Sequence, residues 1–340
     1  MSTGRGLWAL LLIPALLMAA CAGGSPGGDA ANGPALTVYS GRSEKLIGPL
    51  IHRFSERSGI DVRIRYGSTS ELTATLLEEG GQTPAALFIS QDAAALGALS
   101  EAALLRPAPA DLTAKLPSRF RSPAGDWVGL SGRARVVVYN TDRVKPEELP
   151  RRLAETTDSR FHSRFGVAPA NASFQAHMAA YSALNGEAAL GELLRGMAAN
   201  APRIYSKNSP IVEAVIAGEI DWGLVNHYYL MRALKEDPDA PARNFVMPHS
   251  DGSAFVNISG AALLKATEAA AELLRFLLSD EAQRYFSDET FEYPLVEGLG
   301  AAAAPHTDDL QEKELDFAAI AEALDPALTL IHESGLTRFR

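Results

Sequence analysis

The chain has 340 residues, a formal net charge of −10 and one cysteine, Cys21. An acidic balance without Lys/Arg clusters excludes the basic footprint that nucleic acid demands. With its only cysteine ahead of the folded part, that part has no disulfide, thiol nucleophile or cysteine metal site.

Arg5 precedes an apolar run from Leu7 to Ala20 that is too short to span a bilayer and reads as a signal-peptide core. It ends Leu17-Met-Ala-Ala-Cys21, which resembles the bacterial lipobox, with Met18 in place of the usual leucine. The expectation is a signal peptide over 1–20, cleavage, and a lipid on the Cys21 thiol. Gly23–Ala35 is rich in Gly, has no apolar periodicity and reads as a flexible tether spanning roughly 20 Å. A lipid plus a tether implies a soluble domain held at a membrane surface.

Ala35-Leu-Thr-Val-Tyr-Ser-Gly41 is a β-rich run into a glycine turn. Ser43–Ser58 has helical spacing, with Leu46, Ile47, Leu50, Ile51 and Phe54 on one face, and Gly59 stops it. Ile60–Tyr66 alternates as a strand, Glu71–Glu79 is a helix ended by Gly80-Gly81, and Ala85–Ser90 is a buried strand. This β-α-β-α-β rhythm predicts an open α/β sheet with its ligand at the carboxyl ends of the strands.

A strand over Ala134–Tyr139 follows Leu130–Arg133. A second set comes next: strand Phe165–Ala168, helices Phe174–Leu184 and Ala188–Asn200, strand Arg203–Tyr205, helix Pro210–Ala217, strand Ile220–Val225 and helix Tyr228–Lys235. A strand near Phe255–Ala261 precedes amphipathic helices around Glu268–Leu278 and Glu281–Phe286, and Glu312–His332 is helical again. No repeat and no domain-sized linker separates the halves. Two lobes are expected, 36–130 plus 257–309 and 131–256 plus 310–340, joined by strand crossovers near Ser131–Arg135 and Val256–Gly260 around a cleft.

The segment Asp221-Trp-Gly-Leu-Val-Asn-His-Tyr-Tyr229 ends its strand on two adjacent tyrosines. A phenolate is a hard oxygen donor suited to a small, highly charged cation. Tyrosine ordinarily titrates near about 10, so only a strongly acidifying metal makes it a good ligand at neutral pH. Neighbours on a strand point to opposite faces, whereas at a helix start they lie about 100° apart and can bracket one ion. Asn226 stands where it could cap that helix, whose positive end favours phenolate. The alternative for a bare Tyr-Tyr is ordinary packing over a helix start.

Other motifs lead nowhere. Gly129-Leu-Ser-Gly-Arg133 lacks the second glycine of a nucleophile elbow, and Pro305 closes Gly298–Ala303 before a dinucleotide-binding helix could develop. No two histidines have metalloprotease spacing, and His227 reads as a neighbour of the tyrosines, not a ligand.

Val38-Tyr-Ser-Gly-Arg42, Thr83-Pro-Ala85, Trp127–Thr141, Lys207-Asn-Ser209, Gly218-Glu-Ile-Asp221, Asn226-His-Tyr-Tyr229, Ser259-Gly-Ala-Ala262 and Glu292-Tyr-Pro294 occur in this order. The series resembles the bacterial ferric-iron-binding proteins of ABC importers, from about residue 36 to the end. The resemblance implies an α/β, two-lobed type II periplasmic-binding-protein fold, Tyr228 and Tyr229 as iron ligands, and no catalysis. It implies a monomer outside the cytoplasm, in the periplasm or at the cell surface, serving an ABC permease and its ATPase. The family's further ligands are absent: Ser43 replaces a histidine, Gln91 (beside Asp92) a carboxylate, and Phe174 a third tyrosine. The missing donors then come from a synergistic anion such as carbonate, phosphate or citrate. Arg42 and Arg133 match positions near that anion, Asn171-Ala-Ser173 resembles the turn that holds it, and Asn208 and Asn226 match polar positions behind the site. Glu44, Gln91 or Asp92 could add a ligand. An anionic ferric chelate, another small anion or a polyamine would be alternative cargoes. A polyamine calls for carboxylates where this chain has arginines, and a hydrolase for a nucleophile–base pair that is not seen.

Overall fold

A computed structural model describes residues 35–248, 251–296, 298–299 and 317–337. The leader, Cys21, the tether through 34, the lobe junction at 309/310, residues 300–305 and the start of the helix expected from Glu312 lie outside them.

The first half runs β1 (Leu36–Ser40), α1 (Glu44–Ser58), β2 (Val62–Tyr66), α2 (Thr69–Glu79), β3 (Leu87–Ser90), α3 (Ala93–Glu101), the single turn α4 (Ala110–Thr113) and the long β4 (Trp127–Asn140). There follow β5 (Phe165–Val167), α5 (Ala172–Asn185), α6 (Glu187–Ala199), β6 (Arg203–Ile204), α7 (Asn208–Ile216), β7 (Trp222–Asn226) and α8 (Tyr228–Glu236). Last come β8 (Ala242–Phe245), β9 (Val256–Leu263), α9 (Glu268–Leu277), α10 (Asp280–Asp288), β10 (Tyr293–Pro294), α11 (Phe317–Glu322) and α12 (Leu324–Glu333). Local chemistry sets several ends. Gly59 closes α1 at a φ of 73°, which glycine adopts without strain, and Ser68 and Asp92 cap α2 and α3.

The strands lie in the order β2-β1-β3-β9-β4-β7-β5-β6, with β8 and β10 also on β4. β1 pairs in parallel with β2 and β3, and β5 in parallel with β6 and β7. The βαβ rhythm required those parallel pairs, since a crossover helix returns the chain in the same direction. β4 and β9 run antiparallel to their neighbours and join the two parallel sets.

The central strand, expected over Ala134–Tyr139, starts earlier, at Trp127. Leu130–Arg133 is part of it, because Ser131, Gly132 and Arg133 pair with Ser259, Ile258 and Asn257 of β9. A bulge between Gly129 and Ser131 interrupts that ladder, adding local twist. Further along, β4 passes from one set to the other: Trp127–Ala134 pairs with β9, and Arg135–Tyr139 with β7. The segments read as crossovers are thus the paired middle of β4 and the start of β9. Four elements carried too weak a periodic signal to be read: α3, α4, β8 and β10.

Two apolar cores result. One gathers Val38, Phe88, Ile258 and Leu273, the other Phe165, Met178, Trp222 and Phe255. In the second, Phe165 stacks on Trp222 at 4.4 Å and Phe161 meets the indole edge-on at 5.3 Å. α12 lies against α5 and α6. Among the described residues no helix is long and apolar enough to cross a membrane.

Phe165→Ala removes the buried ring on which Trp222 stacks. It is expected to lower unfolding free energy by about 3–5 kcal/mol, measured as a shifted urea midpoint with an unchanged slope.

Candidate functional site

β7 ends at Asn226, and His227 takes helical angles (φ −53°, ψ −38°), so Tyr228 and Tyr229 open the first turn of α8. Their rings stack with centroids 4.4 Å apart and planes 28° from parallel, which places the two side chains together instead of on opposite faces. Both are half-buried. Burial and then the Tyr228 phenol push the Tyr229 phenol up to about 12, against a hydrogen bond with Asn208 and the charge of Arg232. The Arg232 guanidinium lies 4.8 Å from the Tyr228 ring centroid, one helical turn along.

Asn226 does not cap α8; the cap position is His227, and no side chain bonds there. Strand register explains this. Asn226 pairs directly with Arg135 of β4, and its Oδ1 accepts a hydrogen bond from Arg135 Nη1 at 3.2 Å.

Arg135, not singled out in the sequence, is the centre of the polar cluster. Its Nη1 also donates to Asn208 Oδ1 at 3.1 Å and Ser173 Oγ at 3.2 Å. Asn171 Oδ1 caps α5 by accepting from the Ser173 amide and hydroxyl, and it accepts from Asn208 Nδ2 at 3.2 Å. Burial brings the Arg135 guanidinium down to about 10, with Tyr228 and Tyr229 acting in the opposite direction, so it is cationic at neutral pH. Its Nε and Nη2 are buried without a hydrogen-bond partner. Buried donors normally find acceptors, and a guanidinium fork suits the oxygens of a planar anion. The signal that could have found this residue was Arg133 and Arg135 two apart in an otherwise apolar strand.

A second group surrounds Glu292. Arg42, expected beside an anion, instead points Nη2 at both Glu292 carboxylate oxygens (3.0 and 2.9 Å) and Nη1 at Ser131 Oγ (3.3 Å). The Ser131 hydroxyl also contacts the Glu292 carboxylate and lies 2.7 Å from that of Ser259. Burial pushes the Glu292 carboxyl up, but Arg42, Arg133 and the hydrogen bonds from Arg42 and Ser131 outweigh it and hold it below the usual range. Arg133 Nη2 donates to the Gln91 carbonyl, while Arg133 Nε and Gln91 Oε1 are buried without partners. The Gln91 amide donates to Thr69 Oγ1 at 3.1 Å.

The remaining candidates stand apart. Asp92 Oδ1 caps α3 by accepting from the Ala95 amide at 3.0 Å, so helix capping occupies that carboxylate. Glu44 is exposed in the first turn of α1, and Phe174 is core. Among the described residues no three His, Cys, Asp or Glu side chains gather as a metal cluster. The structure therefore unites Tyr228, Tyr229, Arg135, Asn171, Ser173, Asn208 and Asn226, and sets Arg42, Arg133 and Gln91 in or beside the Glu292 group.

Residues 82–319 match the family described as bacterial extracellular solute-binding protein. The chain belongs to that family. Among its relatives, the major ferric iron-binding protein of Neisseria meningitidis serogroup B is 34% identical over 76% of this chain and 80% of its own. The iron uptake protein A1 of Synechocystis is 29% identical over 96% and 94%. Of solved structures, iron-bound HitA from Pseudomonas aeruginosa superposes with a TM-score of 0.78 at 30% identity, covering 88% of this chain and 99% of that one. The Trichodesmium IdiA (FutA) protein in complex with iron and citrate gives 0.76 at 28%, covering 89% and 100%. The two-lobed fold of these solute-binding proteins is the fold of this chain.

The Arg42–Glu292 pair makes stability depend on pH. A depressed folded-state carboxyl contributes stability that is fully present above its unfolded value near about 4.3 and is lost as pH falls through the lower folded value. Glu292→Gln is expected to lower stability by about 3 kcal/mol at pH 7, and the deficit to shrink below pH ~4.3, read from denaturant titrations at each pH.

Proposed function

We propose that this chain is an extracytoplasmic solute-binding protein that captures ferric iron through Tyr228 and Tyr229 together with an anion, and delivers it to an ABC permease. The carrying observation is a stacked phenol pair at a helix start, beside a buried Arg135 with two unpaired donors. The relatives' names, major ferric iron-binding protein and iron uptake protein A1, support the reading.

The chemistry is selective. Proton loss from the Tyr229 phenol is opposed by burial and by its neighbour, so only a cation acidic enough to displace that proton binds well. Two phenolates leave a trivalent ion with one net positive charge and roughly four of six octahedral positions open. Arg135 adds a further positive charge. An anion with several oxygens, carbonate, phosphate or citrate, balances both and fills the shell, with its far side on Arg135 Nε and Nη2. Asn171, Ser173, Asn208 and Asn226 hold Arg135 in place. A cargo arriving as a ready-made chelate is the second reading, supported by the neighbour with iron and citrate.

In this reading the lobes divide at the centre of β4 and close on the cargo, and the permease distinguishes the two states. No bond is broken, in keeping with relatives named for binding and uptake. Lipidation of Cys21 would keep the carrier at the membrane surface.

Ferric iron added with citrate, carbonate or phosphate is expected to give a visible phenolate-to-iron charge-transfer band. Its absence with every anion overturns the reading, and its survival in Tyr228→Phe/Tyr229→Phe moves the site elsewhere. Arg135→Lys keeps the charge but not the fork. It is expected to weaken anion-dependent iron binding roughly tenfold to hundredfold in competition with a chelator, while the band stays.

A further inference from the structure

His227 does not enter the site described above, yet it is 1% exposed and fully engaged. Its amide donates to the Ala134 carbonyl at 3.0 Å, which extends the β7–β4 ladder by one residue beyond the Arg135–Asn226 pair. In a continuing antiparallel pair the Ala134 amide would donate back to the carbonyl of residue 227. Here the chain has already turned into α8, and the imidazole takes over: Ala134 N–H donates to His227 Nδ1 at 3.1 Å. The displaced His227 carbonyl accepts from Asn244 Nδ2 at 2.9 Å.

With Nδ1 an acceptor, the proton sits on Nε2, which donates to the Phe291 carbonyl at 2.7 Å. Phe291 is a non-glycine residue at a φ of 58°, a left-handed conformation that needs support from its surroundings. The next residue is Glu292, fastened to Arg42 and to Ser131, and Tyr293 pairs with Gly132 of β4. The His227 ring also lies 4.3 Å from the Tyr293 ring and meets Tyr228 edge-on at 5.8 Å.

One imidazole thus ties three things together: the backbone immediately before Tyr228, the middle of β4, and the strap Thr290–Pro294 anchored beside the bulge of β4 and β9. We propose that His227 is a positioning residue that couples the tyrosine pair to the strand crossover, so that movement of one lobe against the other is felt at the phenols and sets how fast cargo is released. It is not a ligand; both ring nitrogens face protein backbone. This rests on the iron reading only for the identity of the cargo.

Two substitutions separate the two bonds. The Asn oxygen of His227→Asn can take the place of Nδ1 but cannot reach Phe291. The longer amide of His227→Gln can reach Phe291 but withdraws the acceptor from Ala134. In metal-free protein, hydrogen exchange is expected to quicken at Glu292 N–H in His227→Asn and at Ala134 N–H in His227→Gln, by roughly threefold to tenfold each. Glu292 N–H is a fair reporter because it donates to the Phe286 carbonyl at 2.9 Å.

With ferric iron and citrate bound, both variants are expected to keep the wavelength of the charge-transfer band and to lose iron to excess EDTA roughly threefold to tenfold faster. Unchanged release rates in folded variants, or unchanged exchange at both amides, would overturn the coupling, and so would a band that moves or vanishes as in the tyrosine double variant. If the wild type itself gives no band, the iron reading fails while the exchange result still decides whether His227 clasps the strand. Thermal melts establish folding, and either variant alone carries the test if the other does not fold.

Discussion

Burial of three polar side chains on one face of β4 is the constraint around which the rest is arranged. Ser131, Arg133 and Arg135 are alternate residues of a strand whose fourteen positions are all buried, so they point the same way into protein. A guanidinium taken out of water must be given acceptors, or it destabilises the fold by several kcal/mol. The chain answers at each position. Ser131 meets the Arg42–Glu292 pair, Arg133 the Gln91 carbonyl, and Arg135 three side chains from α5, α7 and β7. Each partner comes from a different part of the sequence, so satisfying one strand face fixes how the two parallel sets meet.

That arrangement leaves a surplus. Arg135 has five donor hydrogens and spends one nitrogen on protein, leaving Nε and Nη2 buried beside the phenols. Arg42, by contrast, puts both terminal nitrogens into a carboxylate and a hydroxyl. The two arginines therefore differ in what they leave over: Arg42 has both terminal nitrogens engaged, and Arg135 has one. Beside it the Tyr229 phenol is held protonated by burial and by its Tyr228 neighbour, which outweigh the Asn208 hydrogen bond and the Arg232 charge.

The fold was largely legible in the sequence because parallel strands and their helices declare themselves locally. Apolar runs such as Leu87–Ser90, and faces such as Ile47, Leu50, Ile51 and Phe54, need no distant partner to be recognised. The tyrosine pair was legible for the same reason: adjacency at a strand end is a local fact. Leu130–Arg133 was misread because Ser, Gly and Arg weaken the apolar signal, and only pairing with β9 makes that stretch a strand. Asn226 was misread because a cap and a cross-strand acceptor look alike until the register is known.

Sequence alone therefore determined the α/β rhythm and the adjacency of the two phenols at a strand end, since each depends on residues within a few positions of one another. Tertiary structure decided which arginine stands beside the phenols, that Arg42 belongs to Glu292, and that Asp92 serves a helix. The Asp92 cap reaches only to Ala95, but the arginine assignments join residues 38 to 250 positions apart, and partners of that kind follow from strand register and burial, which no local pattern encodes.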